Sequence, residues 1–259
     1  MENREMKILH WDIETAPMVV ATWGLFNQNI GHDAILHDWW MICAAWRWHG
    51  TKKIETVSVL DDPERFAEDH TDDYEVTRRL HEVLSKADVL VGHNGDNFDL
   101  KKFNARAVYH GFDPLPPIAT VDTLKVARKH FKISSNRLDY LGTFFGVGQK
   151  VSTPKGLWLR ALDGDKKAIK TMVNYNKGDI RLLNDVYDKL LPWMDKHPNR
   201  NLFLDDEGLA MVCPKCGSHN LTKQGTRIST RLGTRQQYKC GDCGGWSTTG
   251  ETETSAVMR

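Results

Sequence analysis

The segment Ile8-Leu9-His10-Trp11-Asp12-Ile13-Glu14 constrains the fold more than any other stretch of this chain. It is rich in strand-forming residues, and the alternation of a β-strand places Asp12 and Glu14 on one face and the apolar residues on the other. Two adjacent, half-buried carboxylates repel each other and need a compensating cation, and Mg²⁺ or Mn²⁺ prefers such oxygen ligands. Taken alone, an Asp-x-Glu pattern is more typical of a solvated strand face, so the rest of the chain must decide.

The segments that follow predict a mixed α/β domain. Composition and alternation indicate five strands, at residues 8–14, 39–48, 53–60, 89–91 and 118–121. Apolar residues at helical spacing predict helices at residues 75–87, 99–109 and 123–129, and a long helix or a closely joined pair from 166 to 191. The first three strands form an antiparallel start, and the later strands alternate with helices. We therefore predict a mixed five-stranded sheet flanked by helices.

Two polar groups accompany these elements. Residues 93–99 directly follow the fourth strand, and ligand-binding groups gather in the loop past a strand's carboxyl end in an open α/β sheet. Taken singly, Asn97 or Asp99 would equally serve as a helix cap. Tyr175 and Asp179 lie four residues apart in the long helix and share a face, which is also typical of an ordinary helix surface.

Charge and cysteine usage exclude several classes of protein. The 35 basic and 34 acidic residues give a net charge of +1, so a preference for nucleic acid must come from a local imbalance. No apolar run approaches the roughly 20 residues that span a bilayer, so we expect neither membrane insertion nor secretion. Four of the five cysteines form two close pairs and Cys43 stands alone, which predicts a reducing, cytoplasmic setting without a disulfide framework.

Three motifs carry a resemblance to a known family. They are Asp-x-Glu at residues 12–14, Asn-x-x-x-Phe-Asp at residues 94–99 and Tyr-x-x-x-Asp at residues 175–179. Together they resemble the DEDD superfamily of 3′–5′ exonucleases, especially the proofreading domain of family B DNA polymerases and its stand-alone relatives, over about residues 7–191. The position that carries His in the sister subclass is Asn174 here, so the resemblance is to the tyrosine type. It implies a ribonuclease H-like fold.

The resemblance also implies a catalytic site. Two Mg²⁺ or Mn²⁺ ions would be bound by the four motif carboxylates: Asp12, Glu14, Asp99 and Asp179. Two such ions about 4 Å apart supply a hydroxide-like nucleophile and stabilise the departing alkoxide in phosphodiester hydrolysis. Tyr175, a poor general base by itself, would position the attacking water.

Further residues are candidates for substrate contact. By the same resemblance, Asn94 and Phe98 would place the terminal nucleotide, while Phe98 as core filler stays open. Lys155 lies in a loop marked by Gly and Pro, where it either touches the scissile phosphate or faces solvent. The implied partner is nucleic acid, DNA with a free 3′ end, with replication or repair proteins as further partners.

The C-terminal part predicts a separate zinc module. Two Cys-x-x-Cys pairs, Cys213 with Cys216 and Cys240 with Cys243, supply four thiolates for tetrahedral Zn²⁺. A module of about 40 residues buries too little surface to fold without such a metal. The pairs resemble a zinc ribbon. We predict a nuclease domain at residues 1–195, a linker at 196–210, the ribbon at 211–250 and a tail at 251–259.

The segment between the cysteine pairs is locally basic. No Asp or Glu occurs from Pro214 to Gly241, and four of its cations are candidates for nucleic-acid contact: Lys223, Arg227, Arg231 and Arg235. The sequence thus predicts a metal-dependent 3′–5′ exonuclease acting on DNA or RNA, whose ribbon aids binding. A structure-selective endonuclease on the same fold and a non-catalytic nucleic-acid adaptor are the alternatives.

Overall fold

The computed structural model describes residues 5–150, 152–203, 211–229 and 233–249, without the side chains of residues 227–229 and 233–234. The described residues form ten strands: β1 (Ile8–Thr15), β2 (Val19–Val20), β3 (Ile35–His37), β4 (Met41–Trp48), β5 (Glu55–Ser58), β6 (Val89–Gly92), β7 (Ala119–Asp122), β8 (Leu221–Ser229), β9 (Gly233–Cys240) and β10 (Trp246–Thr248). They also form seven α-helices: α1 (Pro63–Glu68), α2 (Tyr74–Leu84), α3 (Asp99–Tyr109), α4 (Thr123–His130), α5 (Leu138–Phe144), α6 (Leu157–Leu162) and α7 (Lys166–Leu190).

The central sheet has five strands in the order β5-β4-β1-β6-β7. The first three strands of this sheet in the sequence, β1, β4 and β5, pair antiparallel, whereas β6 pairs parallel with β1 and β7 parallel with β6. The predicted mixed five-stranded sheet is therefore confirmed. Asp12 lies opposite Ala45 and Glu14 opposite Cys43, so both acids project from the middle strand of the sheet.

Apolar side chains cover both faces of the inner strands. Every residue from Met41 to Trp46 is buried, and Trp11 on β1 meets Phe103 of α3 edge to face. Helix α2 turns its apolar residues towards β4, because Val76, Leu80 and Leu84 recur at helical spacing. Tryptophans in these strands serve the core, since aromatic rings bury large apolar areas.

Strands β2 and β3 and helices α1, α5 and α6 were not predicted from the sequence, and the nature of the last long helix was left open. Strands β2 and β3 form a small hairpin after β1, and the segment between them leaves Trp23, Leu25 and Phe26 exposed. Residues 166–190 form one unbroken helix, which decides between the single helix and the joined pair.

The chain divides into two compact units, one of residues 7–125 and 133–186 and one of residues 1–6, 126–132 and 187–259. The second unit contains a three-stranded antiparallel sheet in the order β10-β9-β8. Residues 204–210 of the predicted linker lie outside the described residues, and so does the whole of the predicted tail. Among the helices that the structure describes, none combines the length and apolar character needed to cross a membrane.

Candidate active site

Carboxylates of the first and third motifs meet at one point of the sheet. Asp12 and Glu14 lie on β1 and Asp179 on α7, and each offers an oxygen within 4.8 Å of the other two. Two oxygens on opposite sides of one Mg²⁺ ion lie about 4 Å apart. The three acids therefore have the donor chemistry and the spacing of a divalent-cation site.

Asp99 stands beside this group. It is the first residue of α3, where the helix dipole favours a carboxylate, and its Oδ1 accepts a hydrogen bond from the Ile13 N–H at 3.2 Å. The bond ties the start of α3 to the strand that carries Asp12. Asp99 is not one of the three clustered acids, yet after burial its charge is the largest cause of the raised pKa of Asp12.

Burial and mutual repulsion favour the protonated forms of these acids. Burial, followed by the charge of Asp179, raises the pKa of Glu14 to about 8. Burial also raises the pKa of Asp99 to about 7, against the hydrogen bond from Ile13. A divalent cation relieves both effects, because it neutralises the cluster and binds the deprotonated oxygens. The residues present thus fit the metal that the sequence predicted.

Among the residues that the structure describes, only Lys150 brings a positive charge into direct contact with this cluster. Its Nζ donates to Asp179 Oδ2 at 2.5 Å and to the Tyr175 hydroxyl at 3.4 Å. Burial alone would lower the pKa of Lys150, but the charge of Asp179 raises it above its usual value. The ring of Tyr175 meets Trp158 edge to face at 6.1 Å between centroids, which fixes the direction of its hydroxyl.

Asn176, which follows Tyr175 on α7, forms a hydrogen bond with Asp12. Its Nδ2 donates to Asp12 Oδ2 at 2.6 Å, and its side chain is fully buried. The bond joins residues that are 164 positions apart, so it fixes α7 against β1 at the carboxylates. Sequence reasoning passed over Asn176, although its position three residues before Asp179 places both on one helix face.

The second motif forms a rigid turn after β6. Asn94 adopts φ of 64°, a left-handed conformation that costs an L-residue energy, and its N–H donates to Asp122 Oδ1 at 2.9 Å. Asp122 also accepts from the Leu124 N–H and so joins this turn to the start of α4. Phe98 is 40% exposed, so it is not core filler.

Lys155 and Lys150 have different surroundings. Lys155 is exposed in the turn before α6, whereas Lys150, five residues earlier, contacts Asp179 and Tyr175. Sequence reasoning did not identify Lys150, and the substrate contact of Lys155 stays a prediction. No local pattern separates the two lysines, since both lie in irregular segments.

In the absence of Mg²⁺ and Mn²⁺, the free energy of unfolding should depend on pH because of Glu14. Its folded pKa of about 8 lies above the value of about 4.3 in an unfolded chain. The folded state therefore binds the Glu14 proton more tightly than the unfolded chain does. The stability that this difference contributes is fully present below pH ~4 and is lost as pH rises through about 8. We expect Glu14→Gln to stabilise the protein by about 2 to 4 kcal/mol at pH ~8 and by little at pH ~5.

Thermal unfolding of both proteins across this pH range, without Mg²⁺, measures the difference. Added Mg²⁺ should stabilise the wild type and not the variant, because only the wild type keeps the full ligand set. A difference between the two proteins that stays constant with pH would contradict the assignment of the raised pKa to Glu14.

The second unit holds a cluster of four thiols. The Sγ atoms of Cys213 and Cys243 lie 3.7 Å apart, those of Cys216 and Cys240 lie 3.6 Å apart, and all four fall within 4.8 Å of one another. A tetrahedron with Zn–S bonds of about 2.3 Å has edges of about 3.8 Å. A disulfide would need about 2.05 Å. The cluster therefore fits Zn²⁺ and not a pair of disulfides.

Backbone donors support the thiolate form at this cluster. Burial alone would raise the pKa of Cys240, but the N–H groups of Cys243 and Asp242 lower it to about 7. The N–H of Gly245 also donates to Cys243 Sγ at 3.4 Å, although burial still raises the pKa of that thiol to about 11. Such N–H donors are stabilising for a thiolate, which is the form that binds zinc.

The predicted nucleic-acid contacts of this unit lie on two paired strands. Lys223 is exposed on β8, and Arg235 is half-buried on β9, where its backbone pairs with Arg227. The side chain of Arg227 and the whole of Arg231 lie outside the described residues. The binding role of all four cations stays a prediction.

Comparison with known proteins assigns the family. A model of the RNase H superfamily matches residues 44–191, more than half of the chain, and the chain belongs to this superfamily. The fold is also similar to a family B DNA polymerase from the hyperthermophilic archaeon Pyrobaculum calidifontis, with a TM-score of 0.53 and 19% sequence identity over 73% of this chain. This chain spans 25% of that polymerase. A search of curated proteins found no match.

Proposed function

We propose that this protein is a metal-dependent 3′–5′ exonuclease that hydrolyses DNA by a two-metal mechanism. The observation that carries the proposal is the meeting of Asp12, Glu14 and Asp179 within 4.8 Å. Tyr175 and Lys150 stand next to them. Membership of the RNase H superfamily supports nuclease chemistry. The order of the three motifs, which resembles that of the 3′–5′ exonucleases, supports the exonuclease class.

The side chains around the carboxylates have distinct tasks. Divalent cations held by Asp12, Glu14, Asp99 and Asp179 would supply an activated water and stabilise the leaving alkoxide. Burial and the charge of Asp179 raise the pKa of Tyr175, so its hydroxyl stays protonated at neutral pH and orients the water without removing its proton. The ammonium of Lys150 stays charged and stabilises negative charge on the scissile phosphate.

Asn94 and Phe98 place the terminal nucleotide in this proposal. The strained turn at Asn94 is fixed by Asp122, so the backbone of Asn94 keeps one position relative to β6. Phe98 directly precedes Asp99 and is exposed, which leaves its ring free for an apolar face of the substrate. The zinc ribbon adds an electrostatic contact to the backbone through Lys223 and its neighbouring cations.

End-labelled oligonucleotides test the proposal. We expect stepwise release of mononucleotides from a free 3′ end with Mg²⁺ or Mn²⁺, and no cleavage of a circular single strand. Cleavage of the circle would favour the endonuclease alternative. Absence of hydrolysis on matched DNA and RNA panels would favour a nucleic-acid adaptor.

Lys150→Met should reduce kcat by about 10- to 100-fold, because the variant loses a fixed positive charge next to the reacting groups. Lys170→Met is the matched control, since it removes an equal charge from an exposed position on α7. We expect the control to retain nearly full turnover. Steady-state kinetics on a single-stranded substrate separate the two variants, and equal losses in both would contradict a specific task for Lys150.

A further inference from the structure

A cation and two aromatic rings form a cluster outside the carboxylate site. Lys102 Nζ lies 3.6 Å from the ring centroid of Trp39 and 5.2 Å from that of Phe98. Phe98 and Lys102 are joined by a turn of helix, since the Lys102 N–H donates to the Phe98 carbonyl at 2.9 Å. The Trp39 N–H donates to Asp38 Oδ1 at 2.8 Å, and the charge of this carboxylate acts on Lys102.

Backbone bonds place this cluster at the edge of the carboxylate site. Phe98 precedes Asp99, whose Oδ1 binds the N–H of Ile13 between the two acids of β1. Trp39 precedes Trp40, whose carbonyl accepts from the Ala16 N–H two residues after Glu14. The cluster therefore approaches the carboxylates from two different elements.

The composition of the cluster suits a strand of nucleic acid. Bases stack on aromatic rings without regard to sequence, and an ammonium contacts the backbone phosphate. Phe98 is 40% exposed and the Trp39 ring is half-buried, so apolar surface is available beside the charge. Burial lowers the pKa of Lys102, with Asp38 opposing, and a partly desolvated ammonium interacts more strongly with an incoming phosphate.

We propose that Trp39, Phe98 and Lys102 form a subsite for the nucleotide on the 5′ side of the scissile phosphodiester. Lys102 contacts the phosphate of that nucleotide, the Trp39 ring packs against its sugar and base, and the Phe98 ring lies between it and the terminal nucleotide. The inference rests on the proposed exonuclease function, because a strand cut from its 3′ end extends away from the carboxylates on its 5′ side. It adds Trp39 and Lys102 to the substrate contacts.

Lys102→Met tests the subsite, with Lys101→Met as a matched control on the exposed part of the same helix. We expect Lys102→Met to raise KM for a single-stranded oligonucleotide about tenfold, with a much smaller change in kcat. The salt slope of binding should flatten by about 0.7, the contribution of one phosphate on a single strand. The control should change neither quantity.

A second substrate separates the subsite from the chemistry. The p-nitrophenyl ester of thymidine 5′-monophosphate carries a nitrophenyl group in place of the 5′ nucleotide, so the effect of Lys102→Met should be far smaller on this ester. Equal effects of Lys102→Met on both substrates, or equal behaviour of Lys101→Met and Lys102→Met on the oligonucleotide, would overturn the subsite.

Phe98→Leu provides a second test. It changes an exposed position and leaves the half-buried Trp39 in place, so misfolding around Trp39 cannot account for its effect. We expect about a tenfold loss of oligonucleotide affinity with its thermal midpoint retained. Binding is also measured by fluorescence anisotropy with Ca²⁺ in place of Mg²⁺. If the wild type hydrolyses neither substrate, the exonuclease proposal fails, while the anisotropy of these variants still decides whether the strand binds at this cluster.

Discussion

Asp12→Asn should reduce hydrolysis by about a thousandfold or more while the protein stays folded. The substitution removes one of the clustered carboxylates, and with it a ligand for the proposed metal ions. It keeps a side-chain oxygen that can accept the 2.6 Å hydrogen bond from Asn176 Nδ2, so the contact between α7 and β1 survives. Removal of one like charge from the cluster should leave the stability of the metal-free protein equal or slightly higher.

Turnover on a labelled 3′ end and thermal unfolding, measured on the same preparations, check this expectation. Glu64→Gln is the matched control, because it neutralises an exposed acid on α1. The turnover of Tyr175→Phe should lie between those of Asp12→Asn and Glu64→Gln, since the ring keeps its contact with Trp158 and only the hydroxyl is lost. Near-normal turnover by Asp12→Asn would refute the carboxylate site itself.

The second large effect concerns the thiol cluster. Cys240→Ser should abolish zinc binding and unfold the module that contains β8, β9 and β10. Structural zinc contributes about 10 to 16 kcal/mol in small modules, which is more than so few buried side chains provide. Cys43→Ala is the control, because this buried cysteine lies in β4 and should leave the zinc content unchanged. Elemental analysis for zinc and circular dichroism measure both outcomes.

Loss of the module that contains β8, β9 and β10 should weaken substrate binding more than it slows the chemical step. We expect KM to rise far more than kcat falls, and the salt slope of binding to flatten by a few units as phosphate contacts disappear, at about 0.7 to 0.9 per contact. Deletion of residues 211–259 should reproduce the effect of Cys240→Ser. Unchanged affinity and salt slope after the deletion would instead indicate that the module docks a protein partner.

Local patterns in the sequence were sufficient for the strands and for the faces on which candidate ligands lie, whereas the resemblance to a known family joined the three motifs into one site. Alternation placed Asp12 and Glu14 on one face of β1, and helical spacing placed Tyr175 and Asp179 on one face of α7. The cysteine spacing predicted the thiol cluster because each Cys-x-x-Cys turn brings its two sulfurs together. These features depend on backbone geometry within a few residues, which the sequence encodes directly.

Contacts between distant elements required the tertiary structure. Neither the contact of Lys150 with Asp179 nor the bond from Asn176 to Asp12 follows from spacing, because each joins segments that lie far apart in the chain. Lys102 reads as an ordinary surface lysine in the sequence, and only packing brings its ammonium to Trp39. The sequence by itself thus determined which carboxylates and thiols share a face, whereas the packing of elements far apart in the chain decided which cations and amides reach them, since side-chain contacts between such elements are set by their docking and not by local periodicity.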